Sequence, residues 1–368
     1  MRQRSRSRLW LAIAGGLMLL TTITACANKN ATSSSAAKVP HLVTVTVPYA
    51  QGGGGDTFAR TIAPALGKYT AGHPTVQVQN LPGGEGIPGN NKFMSDAPAD
   101  GSALLLSGGS SYVPWLLGVS AVKYDFNQLQ PLLLQGTGGV FYVNSSVGIQ
   151  SAAQLLQAKT ELKYGGISAT GDDLSSLLSF DLLKLNVKTT FGFEGRGPVQ
   201  LAVARGELNF DFQTTPVYNS QLAPEAASGK IVPLMTLGVL DANGQVVRDP
   251  NFPQLPTVPE VYQQLYGSAP SGPAYQAYVS VATGVNTYGK GFWFKPGTPK
   301  SIQDAYYAAV DDMTKDTAFM TKLQSTLGKY PLVRGDTVAT SVKKVFTLSP
   351  DVVEYVKNLL KSKYNATV

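Results

Sequence analysis

The feature that most limits how this chain can fold is a layout that recurs along it: an apolar strand run, a turn of Gly, Ser or Thr, then a helical pattern. The first instance is "VPYAQGGGGDTFAR", residues 47–60, where Gly52 to Gly55 separate the alternating run Leu42 to Val47 from a helix expected to open at Asp56. Val43, Val45 and Val47 share one strand face, while Phe58, Ile62, Leu66 and Tyr69 recur at helical spacing, with Pro64 predicting a kink or a short first section. Glycine is entropically costly to order, so four in a row argue that something needs bare backbone at this turn.

The layout continues through "TVQVQN" (75–80), the loop "LPGGEGIPGNN", a short helix through Phe93 and Met94, and the strand run "SALLLSGGSS". A β-α-β-α-β order with small-residue loops predicts an α/β sheet with helices on its faces. Two apolar stretches broken at Gly136 to Gly139 predict a crossing into a second lobe. There "ELKYGGISATGDDLSSLLSFDLLKL" and "GPVQLAVARGELNFDF" supply further strands and helices. Lys230 to Val239 reads as the strand that returns to the first lobe. Residues 240–285, rich in Pro, Gly and Tyr, show no regular pattern, and the tail from Pro299 predicts two or three amphipathic helices.

Residues 1–26 stand apart as a leader. Arg2, Arg4, Arg6 and Arg8 precede an apolar stretch, Leu9 to Ile23, that is short for a bilayer span. "ITAC" resembles the bacterial lipobox, and Cys26, the only cysteine in the chain, is the expected lipidation site. The small polar residues 27–39 suit a flexible tether. Without the four leader arginines, 26 bases face 23 acids, so the formal charge of +7 falls to +3. No basic cluster with interleaved aromatics remains to bind nucleic acid. No second cysteine exists to close an intrachain disulfide.

A glycine turn leading into a helix N-terminus is a layout that captures anions, because free N–H groups and the helix dipole both point at the ligand. The chain offers it before Asp56, before Asn90 and before Asp172, with Asp56 and Asp172 or Asp173 able to cap their helices. "GGGGDT" lacks the Lys-Ser/Thr pair of a phosphate loop, and "GEGIPG" lacks the acid that would hold a dinucleotide ribose. His41 and His73 are the only histidines, and neither falls in a Gly/Ser loop. No cofactor and no metal site is therefore expected, and a hydrolase triad is hard to assemble.

"VPYAQGGGGDTFAR" resembles the first-loop signature of the extracytoplasmic solute receptors of tripartite tricarboxylate transporters, the Bug family. "VQNLPGGEGIPGNNKFMSDAPADGSALLLS", "KYGGISATGDDL", "FGFEGRGPVQLAVARGELNF", "FPQLPTVPEV" and "GFWFKPGTPK" resemble later blocks of that family, in order, over roughly residues 40–330. The resemblance implies a periplasmic-binding-protein fold of type II, two α/β lobes with a ligand cleft between them. Lobe 1 would comprise residues 40–138 and 239–368, the latter with the C-terminal helices, and lobe 2 residues 139–238.

It also implies a receptor without a catalytic step. A lipid-anchored monomer outside the cytoplasm would pass a small organic carboxylate to permease subunits of a secondary transporter. Carried over by position, the first-lobe contacts are Tyr49, Gln51, Gly53, Gly54 and Asp56, with Ser107, Ser110 and Ser111. Those of the second lobe are Ser168, Thr170, Gly171, Asp172, Glu194, Gly195 and Arg196. Glu194 stands where many members have lysine, and Asp172 where a histidine often follows. Two acids near the pocket oppose a polyanion and leave room for a monocarboxylate, an amino acid or an aromatic acid. Tyr112 and Trp115 read as core residues before ligand-stacking ones. A sensor feeding a signalling partner, and a surface hydrolase using Ser107, Ser110 or Ser111, are the alternative readings.

Overall fold

The structure is a computed structural model that describes residues 38–241 and 243–368; the leader, Cys26 and residues 27–37 of the tether lie outside the described residues. β1 (Leu42–Val47) buries Val43, Val45 and Val47, as the alternation requires. α1 (Gly54–Tyr69) opens two residues before Asp56 because Gly54 and Gly55 join its first turn. It runs through Pro64 as one helix. Pro64 sits on the exposed face of the helix.

β2 (Thr75–Asn80) and β3 (Ala103–Gly108) flank β1 in parallel, with α2 (Ile87–Asp96) between them in sequence and α3 (Gly109–Leu117) directly after β3. β4 (Gln130–Gln135) is the last strand before the chain leaves this sheet. The second sheet contains β5 (Gly139–Asn144), β6 (Leu162–Gly165), β7 (Val187–Thr190), β8 (Phe210–Thr214) and β9 (Ile231–Thr236), ordered β7-β6-β8-β5-β9. Its helices are α4 (Leu174–Leu182), α5 (Arg196–Ala204), α6 (Thr215–Val217) and α7 (Ala223–Ala227).

Lys230 to Val239 does not return to the first lobe. β9 pairs antiparallel with β5 and forms the edge of the second sheet, since an apolar run does not by itself name its partner. The segment that reads as irregular is largely structured. After the ribbon β10 (Val239–Leu240) and β11 (Val246–Val247) come α8 (Val258–Tyr266), α9 (Pro273–Ala277) and α10 (Gly284–Thr287). A π-helical stretch, Tyr278–Thr283, joins α9 to α10 and packs on α4. Thr257 and Glu260 form a reciprocal capping box at α8, a start signal present in "TVPE".

Only then does β12 (Lys290–Phe294) enter the first sheet, antiparallel between β3 and β4. α11 (Lys300–Lys315), α12 (Thr317–Leu327), β13 (Leu332–Arg334), α13 (Gly335–Val345) and α14 (Pro350–Tyr364) complete the chain. The first sheet is ordered β13-β4-β12-β3-β1-β2. Both sheets thus carry a parallel trio (β2-β1-β3, β7-β6-β8) followed by an antiparallel strand, β12 or β5, that is the first strand after a crossing.

The crossings run side by side. Thr137 donates its N–H to Asn286 O (2.9 Å), as does Gly289 (3.2 Å), and a Cβ on Gly289 would overlap Thr137 Cγ2. One face of the first sheet packs Phe292 and Phe294 on Phe58, Ile62 and Val310 of α1 and α11. The other joins Leu105 and Trp293 to Tyr112, Phe346 and, farther on, the α4 leucines. Tyr112 is fully buried and meets Phe126 and Trp293 edge to face, so it serves the core; Trp115 meets Phe126 and Phe346 edge to face beside it. A separate core of Val140, Tyr142, Val199 and Leu222 closes the second sheet's far side.

Candidate ligand-binding site

Each lobe presents its Gly/Ser loops at the same end of its parallel trio, as open α/β sheets do where they bind ligands. In the first lobe Tyr49 holds three of these loops together. Its hydroxyl bonds Ser111 Oγ (2.6 Å) and accepts the Gly108 N–H (2.9 Å). Its ring lies where a Cβ on Gly55 would approach to 2.6 Å and one on Gly86 to 3.0 Å. Burial pushes the Tyr49 hydroxyl well above its ordinary value. Asn90 donates to Ser111 Oγ (2.8 Å) and accepts from Ser107 Oγ (3.1 Å), so both serine hydroxyls are engaged, while Ser110 is partly exposed.

Asp56 is 4% exposed and closes the glycine loop on itself. It accepts the Gly52 N–H (2.9 Å), Arg60 Nε (2.9 Å) and Asn80 Nδ2 (3.0 Å). Burial pushes its carboxyl up, but Arg60, Gly52 and Asn80 together outweigh that and hold it below the usual range. The expected cap of α1 is thus a clasp on the loop before it, and no side chain caps the starts of α1, α3 or α5. Gly53 and Gly54 offer free backbone there, while Gln51 is exposed to solvent.

In the second lobe Asp173 plays the part of Asp56. It accepts the N–H groups of Ile167 (2.7 Å) and Ser168 (3.2 Å) and the Tyr164 hydroxyl (2.7 Å), and it is paired with Arg196. Arg196 also reaches Asp211 (3.2 Å), leaving its side chain 16% exposed. Burial pushes Asp211 up to about 6 in spite of Arg196. Arg196 therefore organises the loop from beneath. Ser168 and Thr170 share a hydroxyl hydrogen bond (3.0 Å) and remain partly exposed; Glu194 points to solvent.

The lobes meet glycine to side chain. A Cβ on Gly54 would lie 2.9 Å from Thr214 Oγ1, and one on Gly195 would lie 4.0 Å from Ala50 Cβ. A Cβ on Gly109 would overlap Asp172 Oδ1, and one on Gly171 would overlap Glu85 Oε2. In all four pairs the partner belongs to the opposite lobe, so the glycines that look like turns are what lets the lobes approach.

Three residues at this seam were not foreseen. Lys290, the one polar side chain at the head of "KGFWF", donates to Thr137 Oγ1 (2.8 Å) and comes within 3.4 Å of a Cβ on Gly54. Burial pulls it down to about 8 against the pull of Asp172. Thr214 ends β8, and Glu85 is the one acid in "PGGEG". Among the described residues four buried side-chain oxygens have no hydrogen-bond partner, and three of them, Glu85 Oε2, Gln213 Oε1 and Thr214 Oγ1, lie at or beside the seam. Buried polar atoms are normally paired, so these three oxygens leave hydrogen-bonding capacity unused at the seam.

Neither histidine approaches the serines: His73 Nδ1 bonds Lys68 O at the surface and His41 is exposed. Among the described residues no cluster of His, Cys, Asp and Glu is placed to hold a metal, and no helix is long and apolar enough to cross a membrane. An open surface cavity of about 730 Å³ lies apart from the seam, by α4, α9 and α14, where Asp181 is already paired with Lys363 and Tyr355.

Solved structures share this two-sheet architecture. The periplasmic binding protein BugD is 18% identical with a TM-score of 0.64, covering 86% of this chain and 97% of its own. The fold is that of a periplasmic binding protein. MatC from Rhodopseudomonas palustris, solved with malate, is 20% identical (TM-score 0.62, 85% and 98% covered). R. palustris Rpa4515, solved with adipate, is 20% identical (TM-score 0.62, 87% and 96% covered). No protein-family model and no curated protein matches the sequence.

Proposed function

We propose that the chain is an extracytoplasmic solute receptor of the tripartite tricarboxylate type, which closes its lobes on a small organic carboxylate and passes it to a membrane permease. The observation that carries this reading is the seam itself. Three helix starts without side-chain caps and three unpartnered buried oxygens converge where the lobes touch. Free N–H groups at helix starts favour a carboxylate. Malate and adipate in the similar structures agree with that class of ligand.

Gly53, Gly54, Ser110, Ser168, Thr170, Gly171 and Gly195 then face the ligand. Tyr49, Asp56, Ser107, Ser111 and Arg196 shape the loops that hold it. The hinge falls at residues 136–138 and 288–289, and function consists of a population shift toward the closed form, with no bond made or broken. Cys26 carries the lipid that keeps the receptor at the membrane.

A thermal-shift screen of the full chain against mono- and dicarboxylates and their neutral amides tests the reading. A ligand at a hundred times its dissociation constant adds roughly 2.7 kcal/mol, a shift of a few degrees. Stabilisation by a carboxylate and not by its amide is the expected result; equal response to both removes the anion site. Cys26→Ser is expected to move the protein from the membrane fraction to the soluble one.

A further inference from the structure

Two carboxyls approach the seam from opposite lobes with no ion-pair partner of their own, Glu85 having only the Ser168 hydroxyl beside it. Glu85 stands on the first-lobe loop between β2 and α2, and Asp172 on the second-lobe turn before α4. Glu85 packs directly on Gly171, the residue before Asp172, while Asp172 packs on Gly109 at the start of α3. Glu85 Oε2 is sealed from solvent and receives no hydrogen bond. Asp172 feels Arg196 and Lys290 as charges alone.

The backbone does not ask for a glutamate at 85. Its φ of 60° and ψ of 23° lie in the left-handed region, inside a run in which Gly83, Gly84 and Gly86 also have positive φ. Glycine would hold that turn with less strain. The side chain is what this position adds, and it is aimed across the cleft. The nearby cations are engaged elsewhere: Arg196 by Asp173 and Asp211, and Lys290 by Thr137, on the side of the cleft where α1 begins. Four acids, Glu85, Asp172, Asp173 and Asp211, face two cations, Arg196 and Lys290, so the Glu85–Asp172 side is short of positive charge and the Lys290 side is not.

Resting on the receptor reading above, we propose that the ligand is an amino-carboxylate, with its protonated amine between Glu85 and Asp172 and its carboxylate toward Lys290 and the first turn of α1. An ammonium group carries three donors and one positive charge, matching two carboxyls that no cation of the chain pairs directly. Without it, burial and then neighbouring acids hold them above the usual range, and the ammonium is what lets them ionise. A ligand with a carboxylate at both ends would place like charge against Glu85.

The test compares matched pairs on the full chain by thermal shift and calorimetry: L-alanine with propionate, L-aspartate with succinate, and L-phenylalanine with hydrocinnamate. The amino member of at least one pair is expected to bind and its partner not. Glu85→Gln, which keeps the shape, is expected to weaken that ligand about thirty-fold or more, the usual effect of removing one member of a buried charge pair. Glu85→Gly relieves the left-handed backbone and shows by an intact melting transition that the loop still folds. If each pair binds equally, or the acid without the amine binds better, the amine seat is overturned and the receptor reading stands. If no carboxylate of either kind shifts the transition, both fall. A shift by Mg²⁺ or Ca²⁺ alone assigns the two acids to a metal and overturns the proposal.

Discussion

Asp56 and Glu85 are acids in neighbouring glycine loops of the same lobe, and they are treated in opposite ways. Asp56 is surrounded by Gly52, Arg60 and Asn80 and is held below the usual carboxylate range, though burial alone would raise it. Glu85 is driven well above that range, first by burial and then by Asp173 and Asp172. Asp173 belongs with Asp56 as a carboxylate that builds a loop; Asp172 belongs with Glu85. Sequence position separates these pairs poorly, since Asp172 and Asp173 are adjacent. What separates them is whether the fold supplies donors, and acids without donors inside a cleft are candidates for meeting a ligand.

The hardest blow to this contrast is to turn a satisfied acid into an unsatisfied one. Arg196→Ala strands Asp173 and Asp211 and is expected to cost about 3–5 kcal/mol, read as a lower urea midpoint. Asp56→Ala, which opens the loop clasp and leaves Gly52 and Asn80 unpaired, is expected to cost about 1–3 kcal/mol in the same assay.

Melting at several pH values separates the two classes by sign. The folded value of Asp56 lies below its ordinary 3.8, so its stabilisation is present above that pH and is lost as pH falls through the folded value. The gap between wild type and Asp56→Asn should therefore shrink in acid. The folded value of Glu85 lies above its ordinary 4.5, so its contribution is fully present below 4.5 and is lost as pH rises through the folded value. Glu85→Gln should gain on wild type as pH rises, and a gap that moves in the same direction as that of Asp56→Asn would erase the distinction.

The smallest effect belongs to Gly171→Ala. The three atoms nearest its Cβ all belong to the Glu85 carboxyl, the far end of a flexible side chain, so a loss of about 1 kcal/mol or less is expected, vanishing in a Glu85→Gly background. A loss unchanged in that background would mean Glu85 does not rest on Gly171.

Much of the architecture is legible along the chain. The valine alternation of β1, the helix spacing after Gly55, the break near Gly136 and the Gly/Ser turns all appear where local chemistry places them. β9 was misplaced because strand runs carry no label for their sheet. The helices from Val258 to Thr287 were hidden by Pro, Gly and Tyr, although the Thr257–Glu260 capping box was readable. Of the site, the glycine loops were visible, but the identity of the free acid was not. Attention falls on Asp172 and Glu194 from their positions, yet Glu194 faces solvent and Glu85 fills the cleft.

Periodicity and turn chemistry act over a few residues, so the sequence by itself determined the strand-turn-helix units and the places where backbone is left bare. Which acid is paired depends on donors brought from elsewhere in the chain: Arg196 to Asp173, Asn80 to Asp56, and no cation to Glu85, whose Oε2 is left bare once it packs against Gly171. Those encounters exist only after two sheets have formed and the crossings have set the lobes together, so only the tertiary structure decided them.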